Sequence, residues 1–229
     1  MNDRHMRNET AELIVPEEKL QKATLGMGCF WSPDALFGHL PGVIRTKTGY
    51  AGGTAEQPTY RDMGDHSETV ELEFDPAVIT FEDVLDVFWD HHNPVNINGY
   101  KGRQYMSLIL CHNGEQQEAV QAVISRRKKQ GSTKTETETE TEVAPCPVFY
   151  PAEERHQKYY LKRFPDAVYK LGKLYPSHRE LVNSTLAARL NGLAKGYTSL
   201  ERVAGEIKEW PMEPAARQKV LDLIRQIRW

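Results

Sequence analysis

Cysteine is scarce in this chain: among 229 residues there are three, Cys29, Cys111 and Cys146. Cysteines so few and so widely spaced exclude a disulfide framework and form no metal-ligand spacing, and they point to a reducing compartment. No apolar run approaches membrane-spanning length, so no membrane partner is expected. Charge of one sign is lacking too: the formal net charge is -3, and nothing suggests a nucleic-acid-binding surface. Met1 to Pro16 has no signal-peptide core; residues 1–21 read as a loose leader, with the cytoplasm as the expected location and organellar import left open. No glycine-rich dinucleotide fingerprint follows a strand. Gly49-Tyr50-Ala51-Gly52-Gly53 lacks the Lys and Ser/Thr of a phosphate loop, which leaves it a turn-forming role.

What is present is an irregular mixture of strands and helices. Lys22 to Gly28 reads as a strand running into Cys29. A helix follows, with Ser32 as N-cap, Pro33 in the first helical position and Asp34 in the first turn, and Pro41-Gly42 ends it. Val43 to Tyr50 and Glu68 to Phe74 alternate like strands; in the second, Glu68 shares the buried side with Val70, Leu72 and Phe74. Thr80 with Asp83 caps a helix that His91-His92-Asn93-Pro94 terminates, Tyr105 to Cys111 reads as an apolar strand, and a polar helix runs from Glu115 to Lys129. Gly131 to Glu142 alternates Thr and Glu and reads as an edge strand fraying into a loop, or as a solvated linker. Beyond Leu174 only helices are predicted: one capped by Ser177 with Glu180, one by Thr198 with Glu201, and one starting at Pro214.

Three positions invite a chemical reading. Cys29, in Gly28-Cys29-Phe30-Trp31, stands just before a positive helix end, where the thiolate is favoured and the pKa falls; the alternative is a cysteine packed beside two aromatics. Glu68 among apolar neighbours would be desolvated and kept protonated, fit to act as an acid, unless it reaches water at the strand end. Tyr60 and Tyr105 are either phenolic donors or half-buried packing residues. The adjacent His91 and His92 do not present two imidazoles on one helix face and suit a helix end better than a metal.

From about Ala23 to Tyr160 the chain resembles the A-type peptide methionine sulfoxide reductases. The resemblance rests on Gly28-Cys29-Phe30-Trp31, Leu40-Pro41-Gly42-Val43, Gly49-Tyr50-Ala51-Gly52-Gly53, Pro58-Thr59-Tyr60, His66-Ser67-Glu68, Phe74-Asp75-Pro76, Gln104-Tyr105, Phe149-Tyr150-Pro151-Ala152-Glu153 and His156-Gln157. It implies an α+β fold, a two-layer ferredoxin-like plait, and reduction of the S epimer of methionine sulfoxide, free or in oxidised proteins and peptides, as a repair activity. By the same resemblance Cys29 is the nucleophile, Phe30 and Trp31 receive the substrate methyl group, and Glu68, helped by Tyr60 and Tyr105, protonates the departing oxygen. No bound cofactor or metal is implied; an external thiol such as thioredoxin, glutathione with glutaredoxin, or dithiothreitol reduces the resulting sulfenic acid.

Two departures from the family pattern stand out. Tyr100 occupies a place usually held by aspartate, ahead of Lys101-Gly102-Arg103-Gln104-Tyr105, and no cysteine follows Cys146, so an all-helical appendage replaces the usual cysteine-bearing tail. The expected division is a leader over 1–21, a catalytic domain over 22–175 and a helical extension over 176–229. Two readings compete with the enzyme: a catalytically weak member that binds a partner through its tail, and a cysteine hydrolase pairing Cys29 with His66 or His156. External reduction is the expected fate of the sulfenic acid, with Cys146 next as a resolving thiol and Cys111 last.

Overall fold

The computed structural model describes residues 13, 15–97, 99, 102–130, 140–146 and 148–229. Six strands, β1 Gln21–Met27, β2 Val43–Ala51, β3 Ser67–Phe74, β4 Ser107–Cys111, β5 Glu142–Pro145 and β6 Phe149–Pro151, form one mixed sheet of order β5-β4-β1-β3-β2-β6. The four inner strands pair antiparallel, β6 adds antiparallel to β2, and β5 lies parallel to β4. Helices α1 Trp31–Gly38, α2 Phe81–Asp90 and α3 Gly114–Lys129 cover one face. Their Leu36, Phe37, Phe88, Trp89 and Val120 pack on Leu25, Val70, Leu72 and Ile109 of the strands. Each such side chain, fully buried, contributes roughly 1.5–3 kcal/mol of transfer free energy.

Local signals explain most boundaries. Thr80 and Asp83 form the reciprocal capping box that starts α2, and Asn113 caps α3. Four expectations need correction. α1 begins at Trp31 with Phe30 at the N-cap and no side-chain cap, so Ser32 and Pro33 lie inside the first turn. Tyr105 closes a short 3-10 turn, Arg103–Tyr105, because Ser67 Oγ holds the Arg103 carbonyl at 2.6 Å and turns the chain before β4 begins. β3 is buried on both sides: Thr69 and Glu71 are covered, and Phe149 with Met106 packs over Leu108 and Leu110 on the second face. The Ser177–Glu180 box starts only the short α6, His178–Val182, because Ser184 caps a separate helix, α7 Thr185–Lys195. Of the Thr–Glu run, residues 131–139 lie outside the described residues, and β5 takes up its end from Glu142.

The remaining helices are α4 Tyr159–Lys162, α5 Pro165–Leu171, α8 Leu200–Glu209, which Ser199 rather than Thr198 caps, and α9 Pro214–Arg225. A second apolar cluster runs through them: Leu161 and Leu171 pack with Leu186, Leu190, Ile207 and Ile224, so side chains on both sides of residue 175 share one core. α7 also docks directly on α1. A Cβ added at Gly192 would meet His39 Cβ at 2.4 Å, and one at Gly38 would meet the Ala188 carbonyl at 2.9 Å, so only glycine permits this approach. Arg189, fully buried, donates from Nη1 to the carbonyls of Gly38 and Val43, both at 2.7 Å, while Nε and Nη2 bind the Glu206 carboxylate. It thereby satisfies the open carbonyl end of α1 and the start of β2 from the C-terminal part of the chain.

Arg189→Ala strips all of these acceptors of their donor, and should cost about 3–5 kcal/mol, the range for removing one member of a buried charged pair. Urea unfolding measures it; a loss below about 1 kcal/mol, the scale of an exposed pair, would show that α7 merely rests on α1.

Candidate active site

The chain leaves β1 through Gly28, whose φ of +80° only glycine adopts easily, and this turn presents Cys29 at the start of α1. The next residue folds back: Phe30 N–H donates to Glu68 Oε2 at 3.0 Å. Glu68 projects from β3, is 1 % exposed, and accepts at Oε1 from Gln104 Nε2 at 2.8 Å. The same Gln104 amide reaches the Tyr105 hydroxyl at 3.0 Å, and that hydroxyl also hydrogen-bonds Tyr60. Cys29, Glu68, Tyr60 and Tyr105 therefore converge, and Tyr105 lies within electrostatic reach of both Glu68 and Cys29.

Aromatic rings wall this cluster. Phe30 is buried against Tyr50, with ring centres 5.9 Å apart, and against His156 at 5.3 Å. Trp31 stacks flat on Tyr159 at 3.8 Å and donates its indole N–H to His156 Nδ1 at 3.2 Å. Glu153 braces the wall from behind: it accepts from the Tyr50 hydroxyl at 2.6 Å and from the Tyr60 backbone N–H at 3.1 Å. The loop that carries Tyr60 is itself pinned, since Asp65 accepts from the N–H groups of Thr54 and Ala55. Those bonds hold the Asp65 carboxyl down at about 2.

The electrostatics follow from burial. Burial raises Glu68 above its ordinary value, and the Gln104 and Phe30 donors only partly offset it. Cys29 is pushed up to about 11, chiefly by burial; the Trp31 N–H lowers it, and the neighbouring Glu68 raises it further. This corrects the expected fall at the helix start: a single N–H of the first turn is outweighed by an apolar wall and an acidic neighbour. Both groups are pushed toward their protonated forms, an arrangement suited to delivering a proton to a bound oxygen beside a sulfur nucleophile.

The other cysteines stand apart. Met27 pairs with Ser107, whereas Cys111 lies four residues further along β4, about 13 Å at the usual ~3.3 Å rise per residue. Cys146 sits at that same far end, its N–H bonded to the Cys111 carbonyl at 2.9 Å. A disulfide needs Cα atoms within about 7 Å, so neither reaches Cys29 in this conformation. His66 spends its ring nitrogens on the Gly53 N–H and the Ala55 carbonyl, and His156 Nδ1 is taken by Trp31. His156 Nε2 accepts from Arg155 Nε at 3.1 Å, so neither of these two imidazoles is left to serve Cys29 as a hydrolase base. His91 and His92 hold the Val87 and Phe88 carbonyls at the end of α2. Tyr100 and Lys101 lie outside the described residues.

Sequence reasoning assigned no role to Gln104, Tyr50 or Glu153, and gave His156 only the part of a hydrolase base, although all four stand in the motifs quoted above. Gln104 stands beside Tyr105 in one motif, whereas the motifs of Glu68 and Trp31 do not carry Gln104 and His156, the partners that orient them.

A family model described as "Peptide methionine sulfoxide reductase" matches residues 21–189. The chain is 41% identical over 218 residues to the peptide methionine sulfoxide reductase of Drosophila melanogaster, covering 93% of this chain and 86% of that protein. It is likewise 41% identical over 203 residues to peptide methionine sulfoxide reductase A5 of Oryza sativa, with 84% and 78% covered. Methionine sulfoxide reductase A of Corynebacterium diphtheriae superposes with a TM-score of 0.54 at 29% identity, covering 65% of this chain and 76% of that one.

A thiol titration followed by thiolate absorbance should place Cys29 near 11 in a variant lacking Cys111 and Cys146, and lower when Glu68→Gln is added. A midpoint at or below the ordinary thiol value, unmoved by Glu68→Gln, would remove the coupling described here.

Proposed function

The chain belongs to the peptide methionine sulfoxide reductase family, and we propose that Cys29, Glu68, Tyr60, Tyr105, Phe30 and Trp31 carry out its reaction. The protein is an oxidoreductase that reduces the S epimer of methionine sulfoxide to methionine, an activity of protein repair. The observation that carries the assignment is the convergence of a buried carboxyl and two phenols on the one cysteine that opens α1.

The sulfoxide methyl enters the Phe30–Trp31 wall, where sulfur and methyl meet aromatic faces. Its oxygen takes a proton from Glu68 and hydrogen bonds from the phenols of Tyr60 and Tyr105, which converts a poor leaving group into a competent one. Cys29 Sγ attacks the sulfoxide sulfur, forming a sulfur–sulfur bond, and gives its thiol proton to the Glu68 carboxylate. As the protonated oxygen moves to Sγ, the sulfoxide S–O bond and the new sulfur–sulfur bond break; Cys29 becomes the sulfenic acid and gives up two electrons, which the substrate sulfur gains as it leaves as methionine. A first external thiol then displaces water to give a mixed disulfide, and a second releases Cys29 as the thiol, the two external thiols supplying the two electrons and leaving as a disulfide. The separation of Cys111 and Cys146 from Cys29 supports an external reductant of the thioredoxin or glutaredoxin type, or a small thiol.

Two architectural readings accompany this one. The antiparallel order β4-β1-β3-β2 with α1 and α2 on one face supports a ferredoxin-like plait, widened at its edges by β5 and β6. The division into a catalytic domain over 22–175 and a helical extension over 176–229 describes the order of elements along the chain, while packing links the two through Arg189 and the shared apolar cluster. A cytoplasmic location agrees with three free cysteines.

Intact mass after one equivalent of S-sulfoxide, without reductant, tests the reaction. One added oxygen is expected, trapped by dimedone at Cys29 and absent in Cys29→Ser. Loss of two hydrogens, with a Cys29–Cys146 peptide on non-reducing digestion, would replace the external reductant with an internal one.

A further inference from the structure

A cleft of about 360 Å³ opens beside Cys29 and extends away from Glu68, and the reaction as described leaves it unused. One side is α1, through Trp31 and Ser32; a second is built from Tyr160 of α4 and from Lys195 and Tyr197 at the end of α7; a third is the segment that ends α2, from His91 and His92 to Ile97. Lys195 and Tyr197 come from the C-terminal helices.

Their placement is fixed. α7 ends at Gly196, whose φ of +90° and N–H bond to the Leu193 carbonyl, with the Tyr197 N–H on the Gly192 carbonyl, turn the chain so that Lys195 and Tyr197 flank one glycine. Tyr197 stacks on His39 at 5.8 Å and hydrogen-bonds Ser32, whose hydroxyl also meets the Tyr160 hydroxyl at 3.0 Å. Ser32 has one proton to give, so a chain in which Tyr160 donates to Ser32 and Ser32 to Tyr197 leaves the Tyr197 O–H to donate onward. Lys195 Nζ stands 4.7 Å over the Tyr160 ring, at the exposed rim of the same wall. The described lining contains this ammonium and no carboxylate.

We propose that this cleft is a subsite for the chain flanking the oxidised methionine, and that Lys195 and Tyr197 bind a carboxylate there. The inference rests on the assignment of Cys29 as the nucleophile, because a sulfoxide held at Cys29 places its neighbouring residues against this wall. A carboxylate fits the ammonium together with a phenolic donor, and a lysine or arginine in the same place meets Lys195 unfavourably. The carboxylate has two sources, an acidic side chain next to the sulfoxide or the C-terminal carboxylate of a short substrate.

The test compares kcat/KM, with dithiothreitol as reductant, for acetylated S-sulfoxide pentapeptides in which Glu, Gln or Lys follows the sulfoxide, each with a free or an amidated C-terminus. An exposed charge pair predicts a Glu-over-Lys preference of about two- to five-fold that Lys195→Ala removes and Lys195→Glu reverses, carried by KM. Preference that follows the free C-terminus instead assigns the same site to a terminal carboxylate. The proposal fails if Lys195→Glu and Tyr197→Phe leave every ratio as in the wild type, or if they alter only thioredoxin-supported turnover, which would make the cleft a reductant surface. A wild-type protein that reduces none of these peptides overturns the reading of Cys29 itself.

Discussion

Everything at the reactive end of the molecule is referred to one carboxylate, that of Asp34. It lies in the first turn of α1, wholly buried, and accepts from Lys158 Nζ at 2.7 Å and from the Lys158 backbone N–H at 3.1 Å. Thr46 of β2 and Asn191 of α7 complete its shell, at 2.5 and 3.0 Å. Lys158 gives its remaining donors to Thr46. Burial pulls the Lys158 ammonium below its ordinary value and Asp34 opposes that fall. A buried pair of this kind is tolerable only because each lone pair and proton has a partner. The result is geometric: the Cys29 helix, the sheet, the His156–Tyr160 segment and the C-terminal helices meet at one point. Gln157, one residue earlier, extends the anchorage by bonding both the N–H and the carbonyl of Thr48.

With those elements fixed, the Glu68 carboxyl lies buried behind the site. The aromatic wall of Phe30, Trp31, Tyr50 and Tyr60 is held from behind by His156 and Glu153. Burial raises both the Glu68 carboxyl and the Cys29 thiol. An enzyme acting on a neutral sulfoxide has no need of a standing thiolate in the empty site. It needs a proton where the oxygen will be and a sulfur where the electrophile will be, and burial shifts both groups toward their protonated forms. The helix start contributes the Phe30 N–H to Glu68 and the Trp31 N–H to Cys29, which orients the two groups more than it ionises them.

Much of this was legible in the residues. The capping pair Thr80–Asp83, the alternation in β3 and the Gly28-Cys29-Phe30-Trp31 run each carry local information, and α2, β3 and the reactive turn follow from them. Helix starts proved less legible where several caps compete: Ser32, Thr198 and the Ser177 box each look adequate, and tertiary contacts chose Phe30, Ser199 and an additional cap at Ser184. The direction of the Cys29 shift was hidden for a different reason. Proximity to a helix end is visible in one dimension, whereas burial of the thiol and the nearness of Glu68 exist only after folding. The roles of Gln104, Glu153, Asn191 and Arg189 are of the same kind, since each acts on a partner at least 30 residues away. Nothing local marks Arg189 as the plug for the α1 carbonyls.

The central claim is that Glu68 supplies the proton that lets the sulfoxide oxygen leave. The most direct measurement is the single-turnover rate of S-sulfoxide reduction by Glu68→Gln, with the wild type alongside. Glutamine keeps the shape and can still accept from Phe30, but it has no acidic proton to give. The account predicts a fall of about 10²–10⁴-fold, the usual span for a general acid, with the deficit narrowing as the pH is lowered. A variant that turns over within a few-fold of the wild type would make Glu68 a structural residue of β3 and would contradict the account.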